Sequence, residues 1–329
     1  MIKKIWEKVI RLSRGTKYHK YFFPSFWHPL LFSTHNKFQS VNNPVNFLTA
    51  IPNRGAGIGH QMSNYHSGIW YAVFFKMKHA HIPFAQKSWD SFLGYGKDEP
   101  TLPKLKQLGY KVVRLPLFDE NSTEDIKLIK RIIESYSNKR SIFVLEQDQS
   151  FYDQKLVIPY IQEKFYSNIV RESDLTPFAS NNYNIAIHVR RGDIVIGQVN
   201  KDPNLTMRWL DNEYFEKVLE QILNNIKTQK EIHIYIFSQG VKSDFDAFNK
   251  YENVHFYLDL NPESTFLSFC YADCLITSKS SFSYKPALLN RNGIKICPRN
   301  FWHSYPDDKN WVLVEDTGII PENEIKKII

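Results

Sequence analysis

Apolar residues along the chain fall into two patterns, short continuous runs and longer segments with helical spacing. In the second half of the chain the two patterns alternate. Short apolar runs typical of buried strands lie at 184–189, 232–237, 254–257, 274–277 and 293–297. Helical spacing lies between or after them at 212–226, 244–250, 262–272 and 283–289. Strand and helix units of this length predict a parallel, doubly wound sheet.

The first half of the chain predicts a second α/β domain. A strand at 45–51 runs into a glycine-rich loop at 52–61, and a helix follows at 62–78. Two further strands, near 112–113 and at 141–145, alternate with helices at 122–136 and 156–169. Pro177 and the polar residues that follow it indicate a domain boundary. We therefore predict an N-terminal extension at 1–44, α/β domains at 45–178 and 179–305, and a C-terminal tail at 306–329.

Composition and charge narrow the range of possible partners of the protein. A length of 329 residues is sufficient for two domains. The net charge of +8 favours anionic partners, which include nucleotide phosphates, nucleic acid and an anionic membrane face. The aromatic content of 15% suits the stacking of sugars or bases, but it suits hydrophobic cores equally. Three cysteines without ligand spacing argue against a disulfide framework, and no metal site is predicted.

The first 14 residues have an amphipathic helical pattern. One side carries apolar residues and the other carries basic ones: Ile2, Ile5, Trp6, Val9 and Ile10 against Lys3, Lys4, Lys8, Arg11 and Arg14. A helix of this kind can lie on an anionic bilayer. The pattern fits equally well a helix that packs on its own domain with its lysines outward. We find no signal peptide and no apolar run of membrane-spanning length.

The predicted strand at 184–189 ends in an unusual group of residues, Arg190-Arg191-Gly192-Asp193. Ligands of open α/β sheets bind at the tips of such strands. Adjacent arginines in an extended chain point to opposite faces, so we expect only one of them to reach a given ligand directly. A guanidinium group matches the oxygens of a phosphate. The alternative is a solvated strand end with a local ion pair, in which Asp193 orients an arginine.

Two other loops fit the binding of an anion at a helix N-terminus. The strand at 274–277 leads into Ser278-Lys279-Ser280-Ser281-Phe282-Ser283, where hydroxyls and free amides can bind a diphosphate. The glycine-rich loop, Gly55 to Gln61, precedes the first long helix in the same way. Each loop also has a simpler interpretation. The serines can cap their helix, and the glycines can serve a tight turn.

Together, these three segments resemble the motifs of a known enzyme family. Gly55-Ala56-Gly57-Ile58-Gly59-His60-Gln61-Met62, His188-Val189-Arg190-Arg191-Gly192-Asp193 and Ser280-Ser281-Phe282-Ser283 occur in this order. They are similar to the motifs of the α-1,2-fucosyltransferases and of their α-1,6- and protein O-fucosyltransferase relatives. The resemblance covers roughly 45–303 and leaves the N-terminal extension outside it.

The resemblance implies a GT-B fold, in which two Rossmann-like domains face each other across a cleft. It implies an inverting transfer of fucose from GDP-fucose to a glycan hydroxyl, with no metal and no other cofactor. The implied contacts to the donor come from the second domain and from the glycine loop. The residues are His188, Arg190, Arg191, Ser280, Ser281 and Phe282, with Gly57, Gly59 and Gln61 on the acceptor side. The catalytic candidates are Arg191, which stabilises the leaving group, and Asp193 and His60, which can accept a proton.

The sequence departs from the family pattern at two places. His60 stands where the family usually has asparagine, and Tyr284-Lys285-Pro286 replaces the usual Trp-Trp-Gly. Both departures fall near the expected sugar or nucleotide, so a different nucleotide-sugar donor is an alternative. A basic nucleotide- or nucleic-acid-binding module is an alternative of another class. We do not expect nucleic acid as a partner, because the basic residues are spread along the chain.

The expected partners are therefore a GDP-sugar donor and an oligosaccharide acceptor. The acceptor can be lipid-linked. The expected pathway is the synthesis of a surface polysaccharide or lipopolysaccharide, with an α-1,2 linkage. We expect a cytoplasmic protein that contacts the inner face of the cell membrane through its N-terminal helix. That contact is predicted by the amphipathic pattern of the first 14 residues and not by the family resemblance.

Overall fold

The computed structural model describes residues 2–32, 45–146, 155–168 and 175–328. The chain divides into two compact units, Met1–Tyr152 and Asp153–Ile329. Each unit is built around one parallel sheet with helices between its strands. The predicted α/β class, with two parallel-sheet domains, is confirmed.

Unit 1 contains a four-stranded sheet in the order β2-β1-β4-β3. Its strands are β1 Phe47–Ala50, β2 Lys78–His79, β3 Lys111–Arg114 and β4 Ser141–Leu145. Its α-helices are α1 Ile2–Ser13, α2 Pro24–Leu31, α3 Ile58–Phe74, α4 Ser88–Leu93, α5 Leu102–Gln107 and α6 Thr123–Ser135. Strands β1 and β4 are fully buried because their side chains are apolar or small on both faces, as central parallel strands require.

Unit 2 contains a six-stranded parallel sheet in the order β10-β9-β8-β5-β6-β7. Its strands are β5 Tyr183–His188, β6 Ile232–Ser238, β7 Val254–Leu258, β8 Cys274–Ile276, β9 Ile294–Pro298 and β10 Trp311–Val314. Its α-helices are α7 Ile158–Tyr166, α8 Asp193–Asn200, α9 Pro203–Thr206, α10 Asn212–Asn225, α11 Pro262–Tyr271, α12 Ser281–Leu289 and α13 Glu322–Ile325. All five strands predicted in the second half are present.

The strand order of unit 2 reverses at its centre. From β5 the chain adds β6 and β7 on one side, and it then adds β8, β9 and β10 on the other. The carboxyl ends of β5 and β8 therefore flank the topological switch point of the sheet. Ligands of doubly wound sheets bind at this position.

The observed division of the chain differs from the predicted boundaries in unit 2. Helix α7 belongs to the second unit, although we expected that unit to begin at 179. The reason is its packing on α12: Gln162 Nε2 donates to the carbonyl of Leu288 at 2.9 Å, and the Tyr166 hydroxyl donates to that of Leu289 at 3.1 Å. The expected tail at 306–329 is instead part of the sheet, since β10 pairs with β9 and buries Val312 and Val314.

The N-terminal helix α1 packs on unit 1, which is one of the two alternatives that its pattern left open. Ile10 is buried, Glu7 pairs with Arg114 at 2.8 Å, and Arg14 pairs with Glu146 at 3.1 Å. The helix is therefore part of the unit and not a detached extension. Among the described residues, no helix is long and apolar enough to cross a membrane.

Candidate functional site

The carboxyl ends of β5 and β8 are joined by one side chain, that of Ser278. Its hydroxyl donates to the carbonyl of His188 and accepts a hydrogen bond of 3.0 Å from the backbone amide of Arg190. Ser278 is buried, so little water competes for these bonds. The two motifs that the sequence singled out, the arginine pair and the serine-rich helix start, are therefore adjacent at the switch point.

Arg190 faces the serine-rich helix start. Its Nη1 donates to Ser280 Oγ at 3.3 Å, and its Nη2 donates to the carboxylate of Asp193 at 3.0 and 3.3 Å. The Arg190 side chain is partly exposed, so a ligand has access to its guanidinium. Asp193 orients Arg190, as the local-ion-pair interpretation of this motif predicted.

Arg191 points the other way. Its guanidinium donates to the carbonyls of Leu210 at 3.0 Å and Arg190 at 2.9 Å and to Asn212 Oδ1 at 2.7 Å. It also stacks 4.2 Å from the ring centre of Trp209. Burial lowers the pKa of Arg191 to about 10, against the raising effect of nearby carboxylates, so the group is charged at neutral pH.

The opposite directions of the two arginines match the geometry predicted for neighbours in an extended chain. The structure does not bring Arg191 together with the serines, however. Arg190 is the arginine that reaches Ser280. The expectation that Arg191, together with Arg190, contacts the donor diphosphate stays a prediction, and in this structure the Arg191 guanidinium bonds to Leu210 and Asn212.

A cavity of about 640 Å³ lies beside Arg191. Its walls include apolar side chains of α8 and two carboxylates, Asp211 and Asp244. Among the described residues of its lining, one arginine stands against two carboxylates, and the resulting net charge of −1 disfavours an anion. The face of β5 that carries Arg190 is the better place for a phosphate.

The start of α12 supplies hydroxyls and a helix N-terminus to the Arg190 face. Ser280 is the N-cap of the helix, and its Oγ accepts from the amide of Phe282 at 3.2 Å. The capping alternative is thus correct for Ser280, which bonds Arg190 as well. Ser281 and Phe282 are partly exposed, so they can meet a ligand directly. The positive end of the helix dipole favours an anion there.

His188 lies beneath this surface. Its ring is within 5.8 Å of the ring of Phe282 and 5.3 Å of the ring of Phe269. Burial, together with the charges of Arg190 and Arg191, lowers the pKa of His188 to about 3, so the imidazole is neutral. Its Nδ1 has no hydrogen-bond partner among the described residues.

Two residues that the sequence reasoning missed complete this face. The pKa of Arg208 is lowered by burial and by the positive charge of Arg190, and its guanidinium lies 4.6 Å from the ring centre of Trp302. His303 lies 3.5 Å from Ser281 Oγ and stacks on Tyr284 at 4.0 Å between ring centres. Neither residue belongs to a recognisable motif. Arg208 lies between the predicted strand at 184–189 and the predicted helix at 212–226, where we predicted no element, and His303 follows the last predicted strand.

The glycine-rich loop of unit 1 is open to solvent. Gly57, the N-cap of α3, has φ −62°, and a Cβ added there would have no neighbour within 4 Å. A Cβ on Gly55 would meet only Asn53, at 3.7 Å. Neither a left-handed backbone nor tight packing requires these glycines, so the tight-turn alternative does not explain them.

Three other residues of this loop have different environments. Gly59 is buried in the first turn of α3. Gln61 braces the loop, since its Nε2 donates to the carbonyl of Ala56 at 2.8 Å and its Oε1 accepts from the amide of Ala85 at 3.0 Å. Its amide is thus used within the protein. His60 is exposed on the first turn of the helix.

The protein thus has two parallel-sheet α/β units, and at the switch point of the second unit an arginine meets the N-terminus of a helix. No family model matches the sequence, and no curated protein does. Solved structures with distant similarity include two fucosyltransferases. One is the NodZ α-1,6-fucosyltransferase soaked with GDP-fucose, at 13% identity and a TM-score of 0.41 over 74% of this chain and 92% of that one. The other is Arabidopsis thaliana FUT1 with GDP, at 11% identity and a TM-score of 0.43 over 92% and 80%.

A third similar structure is the E. coli heptosyltransferase WaaC with ADP-2-deoxy-2-fluoro heptose. It has 11% identity and a TM-score of 0.36 over 86% of this chain and 96% of that one. Similarity at this distance does not assign a substrate, so the function proposed below rests on the geometry of the site.

Proposed function

We propose that this protein is a glycosyltransferase that moves a sugar from a GDP-sugar to a hydroxyl of a glycan acceptor, with fucose as the first candidate. The observation that carries the proposal is the convergence of Arg190 and Ser280 at the switch point of the unit 2 sheet. A partly exposed guanidinium, a helix N-terminus and a second arginine, Arg208, meet there. This combination suits a diphosphate.

The chemistry follows from the charge of this surface. Departure of the nucleotide leaves negative charge on the diphosphate, and preorganised donors stabilise that charge as the glycosyl bond breaks. Arg190 is held ready by Asp193 and Ser280, so little reorganisation is needed. A metal ion is not required for this role in the proposal, because two arginines and the helix N-terminus supply the positive charge.

The acceptor hydroxyl must lose a proton, and the sequence offers His60 and Asp193 as bases. Asp193 is engaged by Arg190, which favours a positioning role for it. His60 is exposed at the start of α3, next to the open glycine loop. We therefore propose His60 as the base.

The membrane contact of α1 is a separate proposal. Ile5, Trp6 and Leu12 are exposed on this helix, close to its basic residues. Exposed apolar side chains among lysines are typical of helices that lie on anionic bilayers. Such a contact agrees with a cytoplasmic protein at the inner face of the membrane and with a lipid-linked acceptor. Pelleting with anionic liposomes should fall when Ile5, Trp6 and Leu12 are replaced together by serine.

The test of the main proposal is thermal protection by nucleotides in the absence of Mg²⁺. GDP and GDP-fucose should raise the melting temperature of the wild-type protein and should leave that of Arg190→Ala nearly unchanged. Equal protection by UDP-sugars would favour another donor, the alternative that Tyr284-Lys285-Pro286 raised. A lack of protection by every nucleotide, combined with salt-sensitive binding of oligonucleotides, would favour the nucleic-acid-binding alternative.

Product analysis addresses the linkage. Incubation with radiolabelled GDP-fucose and a panel of oligosaccharide acceptors should give an inverted product. The proposed α-1,2 linkage predicts that blocking the 2-hydroxyl of the acceptor sugar abolishes transfer, whereas blocking the 6-hydroxyl does not.

A further inference from the structure

A second cavity, lined by basic residues, lies in unit 1 and shares no lining residue with the Arg190 surface of unit 2. Helix α1 covers the carboxyl ends of three strands of the unit 1 sheet. Those ends are marked by Ile51 after β1, Arg114 at the end of β3 and Glu146 after β4. Between the helix and these strand ends is a cavity of about 630 Å³. The carboxyl edge of a parallel sheet is the edge at which such sheets bind ligands.

The cavity is strongly cationic. Its basic lining residues are Lys4, Lys8, Arg11, Arg14 and Arg114, whereas its only lining carboxylates among the described residues are Glu7 and Glu146. Five basic residues against two carboxylates give the lining a net charge of +3. Charge concentrated in a concave site raises the local concentration of anions.

The arginines of the cavity are fixed by ion pairs. Glu146, whose side chain is only 8% exposed, pairs with Arg114 at 2.8 Å and with Arg14 at 3.1 Å. Glu7 pairs with Arg114 from the helix side at 2.8 Å. These contacts orient two guanidinium groups at the cavity wall. All three nitrogens of the Arg114 guanidinium donate to these two carboxylates, so the charge that is open to a ligand comes from the other basic residues of the lining.

The remaining basic residues have no carboxylate partner within the described part of the chain. No described ion pair involves Lys4, Lys8 or Arg11, although all three line the cavity. The protein itself therefore leaves much of the charge uncompensated. An anionic ligand would compensate it, and a volume of this size accommodates a diphosphate together with part of an attached group.

We infer that this cavity binds a diphosphate-bearing acceptor, so that the acceptor of the proposed transferase is anionic. That the ligand of this cavity is the acceptor rests on the proposed function. That the cavity binds an anion does not. The exposed apolar residues Ile5, Trp6 and Leu12 lie on the same helix that lines the cavity. A diphosphate carried on a lipid would place its charged group in the cavity and its chain near these residues.

The experiment measures binding of inorganic pyrophosphate by calorimetry to the full chain saturated with GDP, which occupies the proposed donor site. The double variant Lys8→Ala/Arg11→Ala should weaken binding about tenfold, because two uncompensated charges are lost. The matched control is Lys127→Ala/Lys130→Ala on α6, which removes the same charge at the same spacing from an exposed helix face. The control should bind pyrophosphate as the wild type does.

A second variant changes binding in the opposite direction. Glu7→Gln removes a cavity carboxylate and leaves Arg114 paired with Glu146. It should tighten pyrophosphate binding by a few-fold at low salt, and the gain should shrink as salt is added. A loss of structure would only weaken binding, so tightening separates a ligand site from a merely structural cluster.

The inference is overturned if Lys8→Ala/Arg11→Ala binds pyrophosphate like the wild type. It is also overturned if the variant loses only the binding of phosphatidylcholine vesicles that contain phosphatidylglycerol, since the charge would then serve membrane headgroups. These two outcomes are distinguishable from a failure of the proposed function. If GDP does not bind but the cavity variants alter pyrophosphate affinity as described, the anion site stands and the transferase proposal falls.

Discussion

The guanidinium of Arg190 donates a hydrogen bond of 3.3 Å to the hydroxyl of Ser280, a residue 90 positions later in the chain. The contact joins the ends of two strands that flank the switch point of the sheet. Arg191, the next residue, bonds to Leu210 and Asn212 instead. The two arginines therefore have separable roles, and substitutions should distinguish them.

Arg190→Ala should lose nucleotide binding without losing the fold. Its side chain is partly exposed, so its removal leaves no buried carbonyl unpaired. We expect transfer activity to fall by about 100-fold or more, as for removal of one preorganised donor to a developing anion. Steady-state kinetics and thermal melting measure the two effects. Arg131→Ala, on the exposed side of α6, is the control and should retain full activity.

Arg191→Ala should principally reduce stability. The buried carbonyl of Leu210 would lose its donor, and Trp209 would lose its stacking partner. We expect a decrease of about 1–3 kcal/mol in the free energy of unfolding, measured by urea denaturation. Arg191→Lys should recover little of it, because an ammonium cannot reproduce the planar fork. If Arg191→Ala instead has normal stability but no affinity for GDP, Arg191 contacts the donor diphosphate, as the sequence suggested.

Gly57→Ala and Gly192→Ala should behave in opposite ways. At Gly57 the backbone angle suits alanine and the space around it is open, so the stability of Gly57→Ala should be unchanged. If a ligand approaches the backbone there, the affinity for donor or acceptor should fall about fivefold or more. At Gly192, φ is +63° and a Cβ would lie 2.1 Å from Gln239 Oε1. That variant should lose stability by about 1 kcal/mol or more. Melting curves and ligand titrations separate the two effects.

Lys285→Met should stabilise the protein, with a gain that depends on pH. Burial lowers the pKa of Lys285 from its ordinary 10.5 to about 7. Between these values the unfolded chain binds the proton more readily than the folded one, so the wild type gains stability as pH rises through this range. The methionine variant lacks this titration. Its advantage should be about 2 kcal/mol or more below pH 7 and should shrink toward pH 10.5.

Calorimetry at several pH values checks this prediction. Lys295→Met, on β9, is a useful comparison because burial lowers its pKa as well, to about 8. A pH-independent advantage for Lys285→Met would mean that the amine is neutral at every pH tested or that water reaches it. Access of water would contradict the burial of Lys285, whereas an amine that stays neutral would agree with it, and the absolute size of the advantage separates the two cases.

The sequence predicted the strands well, because central parallel strands are continuous apolar runs with few alternatives. It did not predict β10 as a strand. Trp311–Val314 is only four residues long and follows the polar stretch at 307–310, so it lacks a flanking helical pattern. It also did not predict α8 and α9, where exposed Val195, Ile196 and Val199 obscure the amphipathic pattern.

The candidate site was predictable only where its residues follow a strand directly. Arg190 and Ser280 were found in this way. Arg208 and His303 come to the same face through packing around α9 and after β9, and nothing in their local sequence indicates it. The sequence also could not predict which arginine faces the serines. Alternation along a strand places neighbouring residues on opposite faces, but it does not tell which residue lies on which face.

The hydroxyl of Ser278 ties the end of β5 to the end of β8. Because this link spans two segments far apart in the chain, the proposed phosphate-binding surface needs both β5 and β8 in place. Nucleotide binding would then report on completion of the sheet. A GDP-responsive signal during refolding should appear only in the last phase, together with native protection of the central strands.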